Sequence, residues 1–326
     1  MLTVVIGGIL ALPALIVQIA MIPVVALLSI PALLFLVYRK PSSSNKPTST
    51  DYNNPDTKRI IITGGSSGIG KCIAMEAAKK NISEIIIIAR NLQRLQQAQK
   101  EIQAVNPNVT VKALSVDVSN AKAVQDAATE ILAGPRDEPP KTTHLICCAG
   151  KAYPEYFQKT QASVFADIVQ TNQLGSINTA QAFIPLMTQG SVTFCSSMVG
   201  QIGVFGYSCY APTKFALRGY AEVLHIELSQ SPIHVQIAYP PDTETPGFEE
   251  ENKTKPEETK IISEGTPIAQ PEQVGATMLQ YAMMPNPPFN VYFSFDGFML
   301  ANLTAGFQPV STLVDAVAQV SAMSFL

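Results

Sequence analysis

Between residues 58 and 296 the chain alternates short runs of β-branched apolar residues with longer stretches whose apolar positions recur every three to four residues. The runs at 59–63, 84–89, 109–116, 144–148, 191–196, 233–239 and 290–295 are too short for helices and rich in Ile, Val and Thr, so they predict seven strands. Helical periodicity predicts helices over 69–80, 92–105, 121–132, 163–187, 210–230 and 272–284. Near-continuous apolar strands alternating with helices are the pattern of a parallel sheet buried on both faces. The expected fold is therefore α/β, a Rossmann-like, doubly wound parallel sheet of seven strands.

The flanks break this pattern. Residues 2–38 carry no charged side chain and are mostly Leu, Ile, Val and Ala, and a helix crossing a bilayer needs about 20 apolar residues. Residues 1–40 are thus expected to be an N-terminal transmembrane anchor; Pro13, Pro23 and Pro31 leave open whether it crosses once or forms a hairpin. Arg39, Lys40 and Lys46 follow it, which places the rest of the chain in the cytosol by the positive-inside rule. Residues 41–57, rich in Ser, Thr, Asn and Pro, read as a flexible linker. Residues 58–296 form the α/β domain, with a polar, proline-punctuated lid over about 240–265. In 297–326, Val310, Leu313, Val314, Val317 and Val320 recur at helical spacing and predict an amphipathic segment.

A length of 326 residues accommodates one such domain with these additions. A net charge of −3 without a basic block argues against a nucleic-acid partner. The five cysteines, at 72, 147, 148, 195 and 209, are odd in number and form no CxxC, so buried reduced thiols are expected and no metal site.

Two segments carry chemistry. TGGSSGIG, residues 63–70, lies between a predicted strand and a predicted helix; Gly64, Gly68 and Gly70 allow a tight turn and a helix N-terminus aimed at a pyrophosphate. Farther on, Ser197, Tyr210 and Lys214 are spaced by thirteen and then four residues. Residues four apart share a helix face, so the Lys214 ammonium is expected beside the Tyr210 phenol, lowering its pKa toward neutrality. Ser197, at a strand end, can hold the same substrate oxygen. Hydride transfer to or from a carbon bearing oxygen is the implied chemistry. The second strand ends in Ala89-Arg90, with no acid to meet ribose hydroxyls, and Arg90 suits a 2′-phosphate, so NADP(H) is expected.

These residues resemble the short-chain dehydrogenase/reductase family over about 58–296. The resemblance implies catalytic roles for Asn172 (a relay water), Ser197, Tyr210 and Lys214. It implies cofactor contacts from Gly64, Ser66, Ser67, Gly68, Ile69, Gly70, Arg90, Arg94, Asp117, Val118, Ala149, Gly150, Tyr210, Lys214, Pro240, Thr243 and Thr245. Two departures stand out: the family's NNAG is Cys147-Cys148-Ala149-Gly150, and its Pro-Gly after the sixth strand is Pro240-Pro241.

The lid, YPPDTETPGFEEENKTKPEETKIIS over 239–263, resembles that of a membrane-bound branch of the family whose members reduce a long-chain amino-ketone lipid with NADPH at the endoplasmic reticulum. The resemblance implies that substrate, a bilayer partner and an endoplasmic-reticulum membrane location with the catalytic domain facing the cytosol. A homo-oligomer stays open. A membrane-anchored steroid or retinoid dehydrogenase and an inactive NADPH-binding regulator are the alternative readings. The lid acids Asp242, Glu249, Glu250 and Glu251 read either as a solvated charge run or as partners for the substrate ammonium.

Overall fold

The computed structural model describes residues 57–132 and 141–304. Seven parallel strands, β1 (Lys58–Thr63), β2 (Glu84–Ala89), β3 (Thr110–Ser115), β4 (Thr142–Cys147), β5 (Gly190–Cys195), β6 (Ile233–Ala238) and β7 (Asn290–Val291), form one sheet in the order β3-β2-β1-β4-β5-β6-β7. The chain winds outward from β1 to β3 and then crosses back to β4. The resulting switch point between β1 and β4 opens a crevice at the strands' carboxyl ends.

The helices are α1 (Gly68–Lys79), α2 (Leu92–Val105), α3 (Ala121–Leu132), α4 (Ala162–Ile168), α5 (Gly175–Phe183), α6 (Ala211–Glu227), α7 (Pro246–Asn252), α8 (Glu257–Glu264), α9 (Pro271–Ala282) and α10 (Phe295–Leu303). Strand residues alternate between two cores. Ile60, Ile62, Ile85 and Ile87 pack with Ile73, Leu95 and Met278 on one face. Ile61, Ile86, Ile88 and Leu145 pack with Val124, Phe183 and Leu217 on the other. Both faces are covered, which is why the inner strands read as nearly unbroken apolar runs, while the edge strand β3 keeps exposed polar positions. Helix α9 lies close on α1, where a Cβ on Gly275 would stand 2.9 Å from the Ile73 amide nitrogen.

At the other end of the sheet, Glu84 on β2 joins three cations. It accepts from Arg59 Nε on β1 (2.6 Å), from Lys112 Nζ on β3 (2.7 Å) and from Lys141 Nζ just before β4 (3.2 Å). Burial alone would raise this carboxyl; hydrogen bonds from Lys112, Arg59 and Lys141 outweigh it and hold the pKa at about 2.

Several expectations need correction. The helix expected over 163–187 is two helices joined by a π-helical segment, Val169–Leu174, and finished by a 3₁₀ turn, Ile184–Leu186. The last strand is only two residues, because Phe295 opens α10 rather than ending β7. The expected boundary at 296/297 falls inside that helix. The polar lid carries two short helices: Thr245 caps α7, accepting from the Phe248 amide at 3.1 Å, with Pro246 in the first turn, and α8 follows.

The sheet and helices α1 to α9 belong to the compact unit Ser44–Leu300; of the other unit, Met1–Ser43 with Ala301–Leu326, only 301–304 are described. The expected anchor at 1–40, all but the last residue of the linker at 41–57, and the amphipathic repeat at 310–320 lie outside the described residues. Among the described residues no helix is long and apolar enough to cross a membrane. The five cysteines carry free thiols, four buried and Cys148 half-buried.

Candidate active site

The turn after β1 forms one wall of the crevice. Gly64 and Gly68 adopt φ of +74° and +53°, the left-handed region that favours glycine. Gly70 has no room for a side chain, since a Cβ there would sit 2.4 Å from the Gly64 carbonyl oxygen. Thr63 Oγ1 accepts from the amides of Cys148 (3.1 Å) and Ala149 (3.2 Å), tying this turn to the residues after β4 despite the family departure at 147–148. Ser67 and Ile69 flank Gly68 where α1 begins, so the amides of the first turn face the crevice mouth. From the far end of the domain, Thr245 covers the turn: a Cβ on Gly68 would lie 3.1 Å from its methyl.

This cradle fits a dinucleotide pyrophosphate. Gly70→Ala is expected to force the turn apart at a cost of about 1–3 kcal/mol. Fluorescence titration should show NADPH binding weakened roughly tenfold or more by this change.

Toward the other end of the crevice, Arg90 Nη1 stands 3.9 Å from Asp117 Oδ2, so the residues after β2 and β3 meet. Burial works to raise the Asp117 carboxyl, but bonds from the Ser119 amide and hydroxyl, with the Arg90 charge, hold it below its usual range. Arg94 and Ser66, with Lys71 and Gln97, line a small cavity of about 320 Å³. Val118 is buried against Gly175, where a Cβ would stand 2.5 Å from Val118 Cγ2.

The other expected residues converge at the ends of β4, β5 and β6. Ser197 caps the 3₁₀ turn Met198–Gly200, its hydroxyl accepting from the Val199 amide at 3.3 Å, and it stands near enough to Tyr210, the residue that caps α6, to favour the phenolate. Lys214, one turn into α6, is buried; its Nζ donates to the Cys195 carbonyl at 2.8 Å and lies 5.5 Å from the Tyr210 ring centre. Asn172 sits in the π-helical segment, which turns its amide inward to clasp the main chain of Lys151: Nδ2 donates to the carbonyl (2.8 Å) and Oδ1 accepts from the amide (2.9 Å). Gly150 separates Asn172 from Lys214, and a Cβ there would come within 3.3 Å of Asn172 Oδ1 and 3.5 Å of Lys214 Nζ. The Pro240 carbonyl accepts from the Met198 amide at 3.1 Å, fixing the end of β6 beside Ser197.

Two expected roles change. Tyr210 is not made more acidic: burial, then the charges of Glu251 and Cys195, push its pKa well above that of a free phenol, against the lowering by Ser197. Lys214 directs its ammonium to the Cys195 carbonyl and does not dominate the phenol. Thr243 is buried, and its hydroxyl donates to the Pro241 carbonyl at 2.7 Å. Thr245 is the lid threonine that faces the glycine turn.

The structure adds residues that the sequence reading left in doubt or missed. Glu249 and Glu250 are exposed, but Glu251 is largely buried on α7; it accepts a hydrogen bond from the Tyr207 hydroxyl and pairs with Lys255 at 3.1 Å. Lys255 also reaches Asp242 at 3.8 Å, and the Tyr207 and Tyr210 rings lie 5.7 Å apart. The i, i+4 spacing of Glu251 and Lys255 was the readable signal. Beside Tyr207 opens a cavity of about 870 Å³, lined by Tyr156, Phe157, Val204, Phe205 and Phe215 among others.

A glycine-lined dinucleotide crevice facing a Ser/Tyr/Lys/Asn set defines an oxidoreductase class, and the sequence profile described as short chain dehydrogenase matches residues 58–256. The chain belongs to the short-chain dehydrogenase family. It is 41% identical to a 3-dehydrosphinganine reductase of Danio rerio over 93% of this chain and 90% of that protein. It is 42% identical to a 3-ketodihydrosphingosine reductase of Bos taurus over 81% of this chain and 79% of that protein. Among solved structures, an actinorhodin polyketide ketoreductase with NADPH superposes with a TM-score of 0.62 at 22% identity, covering 71% of this chain and 92% of that one. At that identity the likeness speaks to fold.

Proposed function

We propose that this protein reduces the ketone of 3-ketodihydrosphingosine to dihydrosphingosine (sphinganine) with NADPH. The observation that carries the reading is Tyr210 at the crevice with the buried Lys214 ammonium 5.5 Å from its ring and Ser197 at the end of β5, in a chain similar along nearly its whole length to a reductase of that substrate. When bound, the dinucleotide supplies the hydride. Tyr210 donates its proton to the ketone oxygen, and Ser197 holds that oxygen as negative charge develops on it. The raised pKa of Tyr210 suits this direction, since a buried phenol keeps the proton it must give. Lys214 and a water held near Asn172 are the proposed route by which the proton is restored. The aromatic cavity beside Tyr207 lies within the size range of small-molecule ligand sites and is lined mainly by apolar side chains, which suits part of an alkyl chain.

Specificity for NADP(H) over NAD(H) is proposed to rest on Arg90 and Arg94, with Ser66 beside them. A charge pair at about 4 Å contributes roughly 4 kcal/mol at an effective dielectric near 20, before desolvation. Arg90→Asp is therefore expected to lower the NADPH/NADH ratio of kcat/KM about tenfold or more; an unchanged ratio would remove Arg90 from this role.

The membrane anchor, the endoplasmic-reticulum location and the cytosolic orientation belong to the same proposal. They are supported by the uncharged run at 2–38 with its basic flank. A substrate chain buried in a bilayer gains about 0.8 kcal/mol per CH₂, so a catalyst held at that surface avoids extracting it. NADPH consumption with 3-ketodihydrosphingosine, compared with a sterol ketone, tests the substrate: turnover of the sterol ketone alone would replace this reading with that of a steroid dehydrogenase.

A further inference from the structure

We infer that Glu251, assisted by Asp242, is the specificity-determining anion that recognises the ammonium of the substrate beside the reacting ketone. The inference rests on the proposed ketone reduction at Tyr210 and names what the lid adds to it.

In an α-amino ketone the nitrogen is bonded to the carbon next to the carbonyl. Seating the ketone oxygen between Tyr210 and Ser197 therefore fixes the ammonium within a few ångströms of the Tyr210 hydroxyl. Glu251 is held next to that hydroxyl through Tyr207, whose hydroxyl it accepts from and whose ring lies 5.7 Å from that of Tyr210, and the charges of Glu251 and Asp242 both raise the Tyr210 pKa. Both belong to the lid that follows β6, and both reach Lys255, at 3.1 and 3.8 Å.

The charge within this cluster is unbalanced. Two carboxylates share one lysine whose side chain is 1% exposed, leaving one negative charge in excess. The neighbouring Lys253 pairs instead with the exposed Glu250. Tyr207 and Lys255 both contact Glu251 through Oε1. Among the described residues Oε2 has no hydrogen-bond partner, so one oxygen of a largely buried carboxylate remains for a further donor. Burial raises the Glu251 carboxyl above its ordinary range despite those two contacts, as expected for an anion short of compensation. An incoming ammonium supplies the missing charge, and the Tyr207 bond holds Glu251 on the side of the site where Tyr210 stands.

The scale of the expected effect separates Glu251 from an ordinary surface acid. Exposed pairs contribute about 0–1 kcal/mol, whereas charge pairs desolvated in a complex are worth more. Glu250, with a side chain 71% exposed, serves as the control for the first case.

The test compares kcat/KM for 3-ketodihydrosphingosine with that for the same long-chain ketone lacking the amine, using full-length protein in membranes. The wild-type protein is expected to prefer the amino ketone by about tenfold or more. Glu251→Gln keeps an acceptor for Tyr207 but removes the charge, and should bring the ratio of the two values close to one. Asp242→Asn should lower the ratio less, and Glu250→Gln should leave it where it was. Equal losses on both ketones in Glu251→Gln, or a wild-type protein indifferent to the amine, would overturn the inference. If Glu251→Gln fails to fold, the wild-type ratio and Asp242→Asn still decide. Indifference to the amine sinks only the role of Glu251, whereas absence of reduction of either ketone sinks the proposed reaction and this role with it.

Discussion

Tyr210→Phe is expected to lower kcat by about 10²–10⁴-fold, with NADPH affinity close to that of the wild type. The phenyl ring keeps the packing against Tyr207 and loses only the hydroxyl near Ser197. A loss confined to kcat is the signature of an interaction made in the transition state. Single-turnover mixing of the NADPH complex with ketone separates this from a binding defect. The pH dependence follows from the same residue. Because burial and the Glu251 charge raise the phenol's pKa, Tyr210 remains a proton donor throughout the neutral range and well into alkaline solution. Ketone reduction should not fall through loss of this proton at neutral pH. The reverse oxidation, which requires the phenolate, should strengthen as pH rises. Equal activity of Tyr210→Phe would remove the proton-donor role.

Glu84→Gln is expected to cost about 3 kcal/mol of stability at pH 7, far from the site. The carboxyl falls from an ordinary 4.5 to about 2 in the folded protein, and each pKa unit corresponds to about 1.4 kcal/mol. Lys112 is half exposed, so its share is discounted for solvent screening, while Arg59 and Lys141 are largely covered. A group whose folded pKa is depressed contributes stability above its unfolded pKa and loses it as pH falls through the folded value. The wild-type advantage over Glu84→Gln should thus be full above about pH 4.5 and vanish toward pH 2. Urea melts of both proteins across that window measure it. A pH-independent difference would mean that the substitution acts through packing instead.

Elements with a local cause were legible in the sequence. Strand β2 and helices α2 and α3 fall where the pattern put them, because an Ile run bounded by polar residues, an Asn91 cap and a clean apolar stripe each act within a few residues. The π-helical turn was not legible, because it reflects contacts across the fold: Gly175 against Val118, and Asn172 clasping the main chain of Lys151. Helix α7 left a signal in Thr245-Pro246, a cap followed by a first-turn proline, that its polar composition masked. The candidate site shows the same division. Spacing brought Ser197, Tyr210 and Lys214 together, and the glycine turn announced its own geometry. The proton affinity of Tyr210 depends on burial and on Glu251, forty-one positions away, and no local pattern encodes that. Glu251 itself reads as one of three consecutive acids; its i, i+4 spacing from Lys255 marks it faintly, and the packing of α7 against Tyr207 is what brings it to the site.

The most direct measurement follows the transferred hydrogen. Full-length protein in membranes, given NADPH carrying deuterium at the transferable position together with 3-ketodihydrosphingosine, should yield dihydrosphingosine with one deuterium at carbon 3, and Tyr210→Phe membranes should yield almost none. Unlabelled product, or labelled product formed equally well without the Tyr210 hydroxyl, would contradict the account.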